Sequence, residues 1–498
     1  MPKKKLLLGL LLLALIFPLA AQVSVDPNDP IYTDISNWEN LGIIRNVPPL
    51  RPYPLKLISS FLETVMQSEY EDQAAIANAY WQQIFGKTVD AVFEVADYGR
   101  QANRKVDAKG KNGTKEKENE YNVKLGVAGD IQAAEQMTVG VKANILVTDG
   151  LGKDSLPSFV SKSYDAVSDA TDLKFAKAFL DMNVTTAIGN ENIYFQGGIS
   201  RNSFGPFYED SVALNPGAFH TGNLSVVLRR NNWNYTQAAF MLGATNDEGV
   251  GVNPNKFLMM HSFNWTPMPW FTLSYYENVV YGKRFDPIYM LPFVPYMVAQ
   301  GIGSFNDNVQ MGIAFKVRPA PGFSWNTDVF VDDMAMSDIA KLRFDTKLRF
   351  GAMTGFVYSP IDSPFSEISM NYTMISPYMY SHEEFLDTNY NVTGSNGTNY
   401  QNYTNNGQSI GSNLPPNSDR IAIKFKVNPF SNLKLTFGAN MIRHSNINEL
   451  LVKKSPDEAI KYLKLPSQTG TLRTDGSVLN HPYSTGAYEY AWNHFMFM

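Results

Sequence analysis

Cysteine is absent from this chain of 498 residues. Disulfide bonds, a catalytic thiol and lipid attachment through an N-terminal cysteine are therefore excluded. Long apolar runs are scarce as well, because the clearest one covers residues 6–17 and a membrane-spanning helix needs about twenty residues. The mean hydropathy of −0.22 is too polar for a helical membrane protein. An exported chain of this composition must stabilise itself by other means.

Signs of catalysis, metal binding and nucleic-acid binding are also few. The six histidines are scattered and form no HExxH spacing, and no local arrangement of Ser, His and Asp marks a catalytic triad. The Asp332-Asp333 pair is more simply a strand residue that faces water beside a residue at the rim. Lys and Arg number 42 against 47 Asp and Glu, and the net charge of −5 disfavours a nucleic-acid partner. We predict no enzyme activity, no metal and no cofactor.

The N-terminus has the three parts of a secretory signal peptide. Lys3 to Lys5 form a positive segment, residues 6–17 an apolar core, and Pro18 to Ala21 a small-residue exit. We predict a signal peptide over 1–21, with cleavage after Ala21. The alternative, an uncleaved anchor, is disfavoured because the apolar core is short for a membrane span.

From about residue 87 to residue 498, the chain repeats runs of alternating apolar and polar residues. In one run, Leu433, Leu435, Phe437, Ala439 and Met441 alternate with polar residues and glycine. Side chains on a strand point alternately to opposite faces, so one face of each strand is apolar and the other is polar. Only helices and closed barrels satisfy their backbone polar groups inside a bilayer. The pattern predicts an all-β fold, a transmembrane antiparallel β-barrel of about 16–18 strands, since bacterial barrels carry even numbers.

Aromatic residues support this location. They make up 13% of the chain, as expected when rings form girdles at both membrane interfaces. The last strand, near residues 484–497, ends in an aromatic run of the kind that barrel-assembly machinery is expected to recognise. We predict the outer membrane as the location, with its lipid and that machinery as partners.

Between the signal peptide and the barrel, residues 22–86 read as a small helical segment. We predict two short helices joined by a proline-rich turn, with Asp34 or Ser36 as the first N-cap and Gly42 ending the first helix. A third helix is predicted over about 73–85, and a helical insertion near 173–180. The barrel domain is then 87–498.

Charged residues at the polar positions of the strands are candidates for a function. A charge on the lipid face costs about 2–4 kcal/mol near the midplane, so these residues are predicted to face the lumen. Acidic residues at Asp328, Asp332 and Glu277 were assigned to the same lumen. Such a lumen can favour acidic polymers or small anions, or its opposite charges can simply pair across it. The basic candidates are Arg229, Lys316, Lys347, Arg349, Lys424 and Lys426.

The most distinctive stretch is residues 193–216, IYFQGGISRNSFGPFYEDSVALNP. A strand ends in two glycines and leads through a glycine–proline turn and an acidic tip to a Ser-Val-Ala-Leu-Asn-Pro run. This stretch resembles a motif of the Wzi capsule-assembly family of outer-membrane proteins, as do residues 305–334 and the helical 41–64. The residues that match the motif at 193–216 are Arg201, Gly205, Pro206 and Asp210. Gly205 and Pro206 are interpreted as a turn, and Arg201 as an anchor for Asp210 or for an acidic sugar.

The resemblance implies a barrel of about eighteen strands with an N-terminal helical bundle, acting as a lectin that holds capsular polysaccharide at the cell surface. We therefore predict that the protein binds or organises surface polysaccharide. The alternatives are a porin for small solutes and a surface adhesin or antigen built from the long loops. A filled lumen favours the lectin, and an open lumen favours the porin.

Overall fold

The computed structural model describes the residues 26–86, 90–102, 116–149, 177–245, 251–303, 307–333, 349–376 without 362 and 364, 379–380, 400–414 without 407, 418–430 and 433–444. The predicted signal peptide, Lys347 and the final aromatic strand lie outside these residues.

One large antiparallel sheet dominates the described part of the chain. It has fifteen described strands, and each pair of consecutive strands in sequence is hydrogen-bonded. The further one to three strands needed for the predicted 16–18 stay a prediction. The strands are β1 Asp90–Ala102, β2 Glu116–Ala134, β3 Met137–Asp149, β4 Lys177–Gly189, β5 Ile193–Ser200, β6 Thr221–Arg229, β7 Trp233–Thr245, β8 Gly251–Met268, β9 Phe271–Gly282, β10 Asn308–Ala320, β11 Phe323–Asp333, β12 Arg349–Tyr358, β13 Phe365–Ile375, β14 Ser418–Phe430 and β15 Leu433–His444.

The two rims of the sheet differ in their connections. At one rim the strands are joined by tight turns, such as the two residues between β10 and β11. Gly322 in that turn has φ +77°, and a Cβ there would lie 2.3 Å from the carbonyl oxygen of Ser359, so the turn requires glycine. At the other rim most connections are longer, such as residues 201–220 between β5 and β6. Short periplasmic turns and long outer loops are typical of outer-membrane barrels, which orients this sheet.

The predicted alternation is confirmed where both faces are described. Large apolar side chains remain exposed on the outer face, for example Phe195 (55%), Met241 (64%) and Phe437 (57%). On each strand, the residues next to these exposed side chains point inwards. In β14, Lys424 and Lys426 point inwards on either side of the exposed Phe425. Where side chains are described, the exposed outer face of the sheet is therefore largely apolar.

Within the described residues 26–86, three helices precede the sheet: α1 Pro30–Asn40, α2 Leu55–Met66 and α3 Glu71–Gly86. Their apolar faces pack together around Trp38 and Phe61 and against Tyr194 and Val227 of the sheet. We call residues 26–86 the preface. None of the helices in the described part of the chain is long and apolar enough to cross a membrane.

Two local predictions were wrong. The first helix starts after Asp29, not at Asp34 or Ser36, because Pro30 suits the first helical position with its fixed φ. Gly42, with φ +80°, follows the end of that helix as predicted. The insertion near 173–180 was predicted to be helical, but its residues 177–180 begin β4, where pairing with β3 overrides local helix propensity.

The preface lies inside the curved sheet. The Lys142 ammonium in β3 donates to Asp29 at the start of α1 (2.7 Å), and the Lys426 ammonium in β14 donates to Thr33 of α1 (3.2 Å). Strands β4 to β13 separate these two strands within the sheet. The sheet therefore curls around α1 until strands near its two ends face the same helix.

A second apolar cluster fills another part of the lumen. Two later segments, 204–219 and the described parts of 379–414, pack there against inward side chains of β7 to β13. Tyr276, Phe330, Tyr380 and Tyr403 form its aromatic centre, with ring centroids 5.4–6.5 Å apart in the pairs that contact Phe330. Both clusters exclude water from the parts of the lumen that they occupy.

Candidate functional site

The preface is joined to the barrel wall by buried ion pairs. Glu39 of α1 accepts from Lys316 (2.5 Å) and from Arg318 (3.3 Å), both on the inner face of β10. Burial alone would raise the pKa of Glu39, but the two positive charges outweigh it and lower that pKa below its ordinary value of 4.5. Lys316 is thus a lumenal residue, as predicted, and its partner is a residue of the preface.

A second ion-pair group holds the first residues of the preface. The Lys142 ammonium lies 3.1 Å from Asp26 and 2.7 Å from Asp29. Burial raises the pKa of Asp29 to about 7, because Lys142 offsets only part of the desolvation and Asp26 adds a like charge. Burial also acts on Asp26, but the charges of Lys142 and Arg201 exceed it and lower the pKa of Asp26. The charge of Lys142 therefore stabilises the ionised form of Asp26, but it does not fully offset the cost of burying an ionised Asp29.

The predicted glycine–proline motif lies in the loop between β5 and β6, which folds into the lumen; we call residues 201–220 the motif loop. Arg51 of the preface donates to Ser203 Oγ (2.7 Å) and to the carbonyls of Gly205 (3.1 Å) and Phe207 (3.2 Å). Gly205 has φ +113°, a conformation that favours glycine, and Pro206 follows it. The turn interpretation of both residues fits this geometry.

The arginine that binds the Asp210 carboxylate is Arg420 of β14. Arg201, proposed from the sequence as the anchor of Asp210, is 2% exposed and donates to the carbonyls of Gly217 (3.3 Å) and Ala218 (3.0 Å). Asp210 also accepts from Asn215 at 2.5 Å. The residues of the motif therefore stabilise the motif loop by hydrogen bonds within it, and Arg420 links the loop to the barrel wall.

Beside the motif loop lies a cavity of about 270 Å³ between the preface and the inner faces of β11 to β15. Lys424 pairs with Glu209, and Lys426 contacts Glu209 (2.6 Å) and Glu367 (3.2 Å). Amide and aromatic side chains also line the cavity, so polar and apolar groups converge as in a ligand site. Among them are Phe207, Tyr208, Asn326, Asn371, Asn413 and Asn440.

The other predicted residues lie around the lumen at separate places. Arg229 donates to the carbonyls of Asn46 (2.9 Å) and Arg45 (2.9 Å) in the preface. Asp332 is 4% exposed and accepts from Asn308 at 3.4 Å. Arg349 begins β12 on the face of Gly351. The sequence thus identified lumenal residues, but of the predicted residues that the structure describes, those at the cavity are Pro206, Asp210, Lys424 and Lys426.

Glu277 was predicted to face the lumen, and this was wrong. Its neighbour Tyr276 points inwards to Asp328 (2.7 Å), so Glu277 lies on the outer face, where it is 2% exposed. The strand around it, YYENVVY, is apolar on both faces, so its alternation gives no inner and outer assignment.

The partners of the predicted charges were not predicted from the sequence; they are Glu39, Glu209, Glu367 and Arg420. Nor was it predicted that the Asn-rich stretch around residue 403 contributes the buried Tyr403 to the lumen. Residues 407–411 read GQSIG and match GxSxG, but Gln408–Ser409 pairs in a short hairpin with Thr404–Asn405. A nucleophile elbow is a strand-to-helix turn, so this match carries no catalytic meaning.

An antiparallel meander with an apolar outer face and polypeptide in its lumen defines the class of outer-membrane β-barrels. Among solved structures, the chain is similar to Wzi of Escherichia coli, an outer-membrane protein involved in group 1 capsule assembly and described as a carbohydrate-binding β-barrel. The TM-score is 0.53 at 13% identity, and the alignment covers 85% of this chain and 86% of Wzi. The resemblance predicted from residues 193–216 is confirmed for the fold.

Two porin-type structures align with lower scores. OmpF of Salmonella typhi gives a TM-score of 0.38 at 8% identity and covers 72% of this chain and 90% of OmpF. OccAB1 of Acinetobacter baumannii gives 0.35 at 9% identity and covers 71% and 78%. No family model matches the sequence, and no curated protein matches it.

Proposed function

We propose that this protein is a non-enzymatic outer-membrane lectin that binds surface polysaccharide, as the Wzi resemblance implies. The observation that carries the proposal is the filling of the lumen. The preface occupies one part, and the segment 204–219 with the described parts of 379–414 occupies another. A porin needs a continuous aqueous path through the barrel, and these two packed clusters oppose one.

The cavity beside Asp210 supports binding of an acidic glycan. Three basic side chains, Arg420, Lys424 and Lys426, reach it, and their acidic partners are protein carboxylates. The side chains of Lys424 and Glu209 are 32% and 39% exposed, so this pair is the most open to exchange with a solvent-borne carboxylate. An acidic sugar would replace Glu209 as the partner of the lysine.

Glycan binding by the purified protein tests the proposal. Acidic and neutral capsular polysaccharides are compared in a surface-binding assay at low and high salt. We expect salt-sensitive binding of the acidic polymer, which K424A weakens and E209Q strengthens, because Glu209 competes for the lysines. The matched control is E63Q, which changes an exposed carboxylate of α2. Equal binding by K424A and the parent would remove the cavity from the proposal.

Conductance in planar bilayers separates the lectin from the porin. The filled lumen is expected to give no large steady single-channel currents. Such currents from the unmodified protein would overturn the lectin proposal and support the porin alternative.

A further inference from the structure

A loop at the outer rim folds back over the outside of the barrel. Residues 283–303 follow β9 and include a 3₁₀ turn, Pro287–Met290, and a short helix, α4 Tyr296–Gly303. The strand residues beneath it point away from the lumen, because Leu258 and Val280 beside them belong to the lumenal cluster. The loop and strand residues that pack together are Tyr289, Tyr296 and Ala299 with Met259, Val279 and Tyr281.

The loop descends far along the outer surface. Phe293 stacks on Tyr235 of β7 with ring centroids 4.1 Å apart. Tyr235 pairs with Phe263, seven residues along β8 from Lys256, which pairs with the last residue of β9. At roughly 3.3 Å per residue, the loop covers roughly 23 Å of strand. It therefore reaches the level of the exposed, lipid-facing Phe263 and nearly that of Trp265.

The outer surface of this loop has the composition of a lipid contact. Residues 287–303 contain no acidic, basic or histidine side chain. The charges adjoin the rim instead, where Arg284 pairs with Asp307 (2.5 Å) and Asp286 (3.2 Å). The exposed apolar side chains of the loop are Met290 (39% exposed), Leu291 (50%), Phe293 (58%), Met297 (51%), Val298 (51%) and Ile302 (73%).

Irregular backbone in contact with hydrocarbon requires that its polar groups find partners in the protein. Three of the loop residues are prolines and lack an N–H. The Phe293 N–H donates to Tyr235 Oη (3.0 Å), and the Tyr296 N–H donates to Glu277 Oε2 (2.6 Å). Gln237 Nε2 donates to the Tyr289 carbonyl (2.9 Å). Polar residues on the lipid-facing side of the strands thus bind the backbone of the loop.

We propose that residues 287–303 are a membrane-embedded strap whose exposed apolar side chains contact acyl chains of the bilayer. The same outer face carries Tyr275 (44% exposed) and Ile313 (47%), so the strap continues the lipid-facing surface of the barrel. The polar side chains beneath it are sealed from lipid and in turn hold it in place. The inference rests on the membrane location and is independent of the polysaccharide proposal.

Single-cysteine labelling tests the strap, because the chain has no cysteine of its own. L291C and I302C carry a nitroxide in protein reconstituted into phospholipid bilayers. Collision with oxygen, which partitions into lipid, is compared with collision with a water-soluble nickel complex. We expect the oxygen-to-nickel accessibility ratio at both sites to match that of I313C on the barrel surface. It should exceed severalfold the same ratio for E63C on the exposed side of α2.

Two results would overturn the proposal. High accessibility to nickel at both sites would place the loop in water. Low accessibility to both reagents, with spin–spin broadening between labels, would make its partner a second copy of the protein.

The hold on the strap is tested by a matched pair of variants in the I302C background. E277Q keeps an oxygen acceptor for the Tyr296 N–H, and E277L removes it. We expect E277Q to retain the lipid-type ratio and E277L to shift it towards that of E63C, with a more mobile spectrum. An unchanged E277L would show that Glu277 does not hold the strap, and a failure of E277L to fold leaves the decision to L291C and I302C alone.

Discussion

The two faces of strands β7 to β10 both bury polar side chains under polypeptide, but they do so with different chemistry. On the inner face, the charged Lys316 and Arg318 meet a carboxylate of the preface. On the outer face, Gln237 donates a hydrogen bond to the backbone of residues 287–303, and Glu277 accepts one from it. At these positions, the inner face pairs charge with charge, and the outer face provides hydrogen-bond partners for peptide groups where lipid offers none. A buried polar residue on a barrel therefore does not by itself indicate the lumen.

The largest effect is expected from breaking the inner charge balance. Glu39→Gln leaves Lys316 and Arg318 with an uncharged partner in a buried site, and removing one member of a buried ion pair costs about 3–5 kcal/mol. The free energy of unfolding of the protein in detergent micelles measures this. E63Q on α2 is the control and is expected to change it by less than about 0.5 kcal/mol. A loss of similar size in both variants would contradict the ion-pair account.

A charge placed on either face of β15 tests the inside–outside assignment. Phe437→Arg puts a charge on the lipid-facing side and is expected to cost about 2–4 kcal/mol if it lies near the midplane. Asn440→Arg, on the opposite face beside the cavity, is expected to cost less than about 0.5 kcal/mol. Unfolding titrations of the two variants give the difference. Equal costs would mean that β15 does not separate lipid from lumen.

Breaking the outer hydrogen bonds should have a smaller effect. Gln237→Leu leaves the Tyr289 carbonyl without its donor, and a buried unpaired group costs about 1–3 kcal/mol. We expect faster chymotrypsin cleavage within residues 287–303. Met241→Leu, on the same face of the same strand, should leave cleavage unchanged, and equally slow cleavage of both variants would count against the hydrogen-bonded strap.

The smallest effect is expected from acid, because protonation of Glu39 removes its charge but keeps its oxygens. The native pKa of Glu39 lies below its ordinary value of 4.5. Its ion pairs therefore stabilise the docked preface fully above pH 4.5, and this contribution is lost as the pH falls through the lowered native pKa. Protease cleavage of the preface in intact vesicles should rise below that pH, and less so in E39Q. Acid protection of the preface would reverse the predicted sign.

Local pattern was sufficient to predict the strands and the lumenal position of Lys424 and Lys426, because neighbouring side chains on a strand face opposite sides. Pairings such as Glu39 with Lys316 could not be predicted, since 277 residues separate them and neither residue carries a local signal for the other. Glu277 was misplaced for a different reason. The strap buries the outer face of its strand, so the polar–apolar contrast that marks lipid and lumen is lost there.

The contact of Thr33 with Lys426 spans 393 residues and has a consequence for the order of assembly. The preface is made first, but its docking surface is complete only when β14 has joined the sheet. Pairings of such long sequence separation form slowly because they must overcome a large loss of chain entropy. Until β14 is paired, the apolar side chains of the preface that pack against the sheet lack part of their final packing surface. Docking of the preface is therefore expected to be one of the last steps of folding.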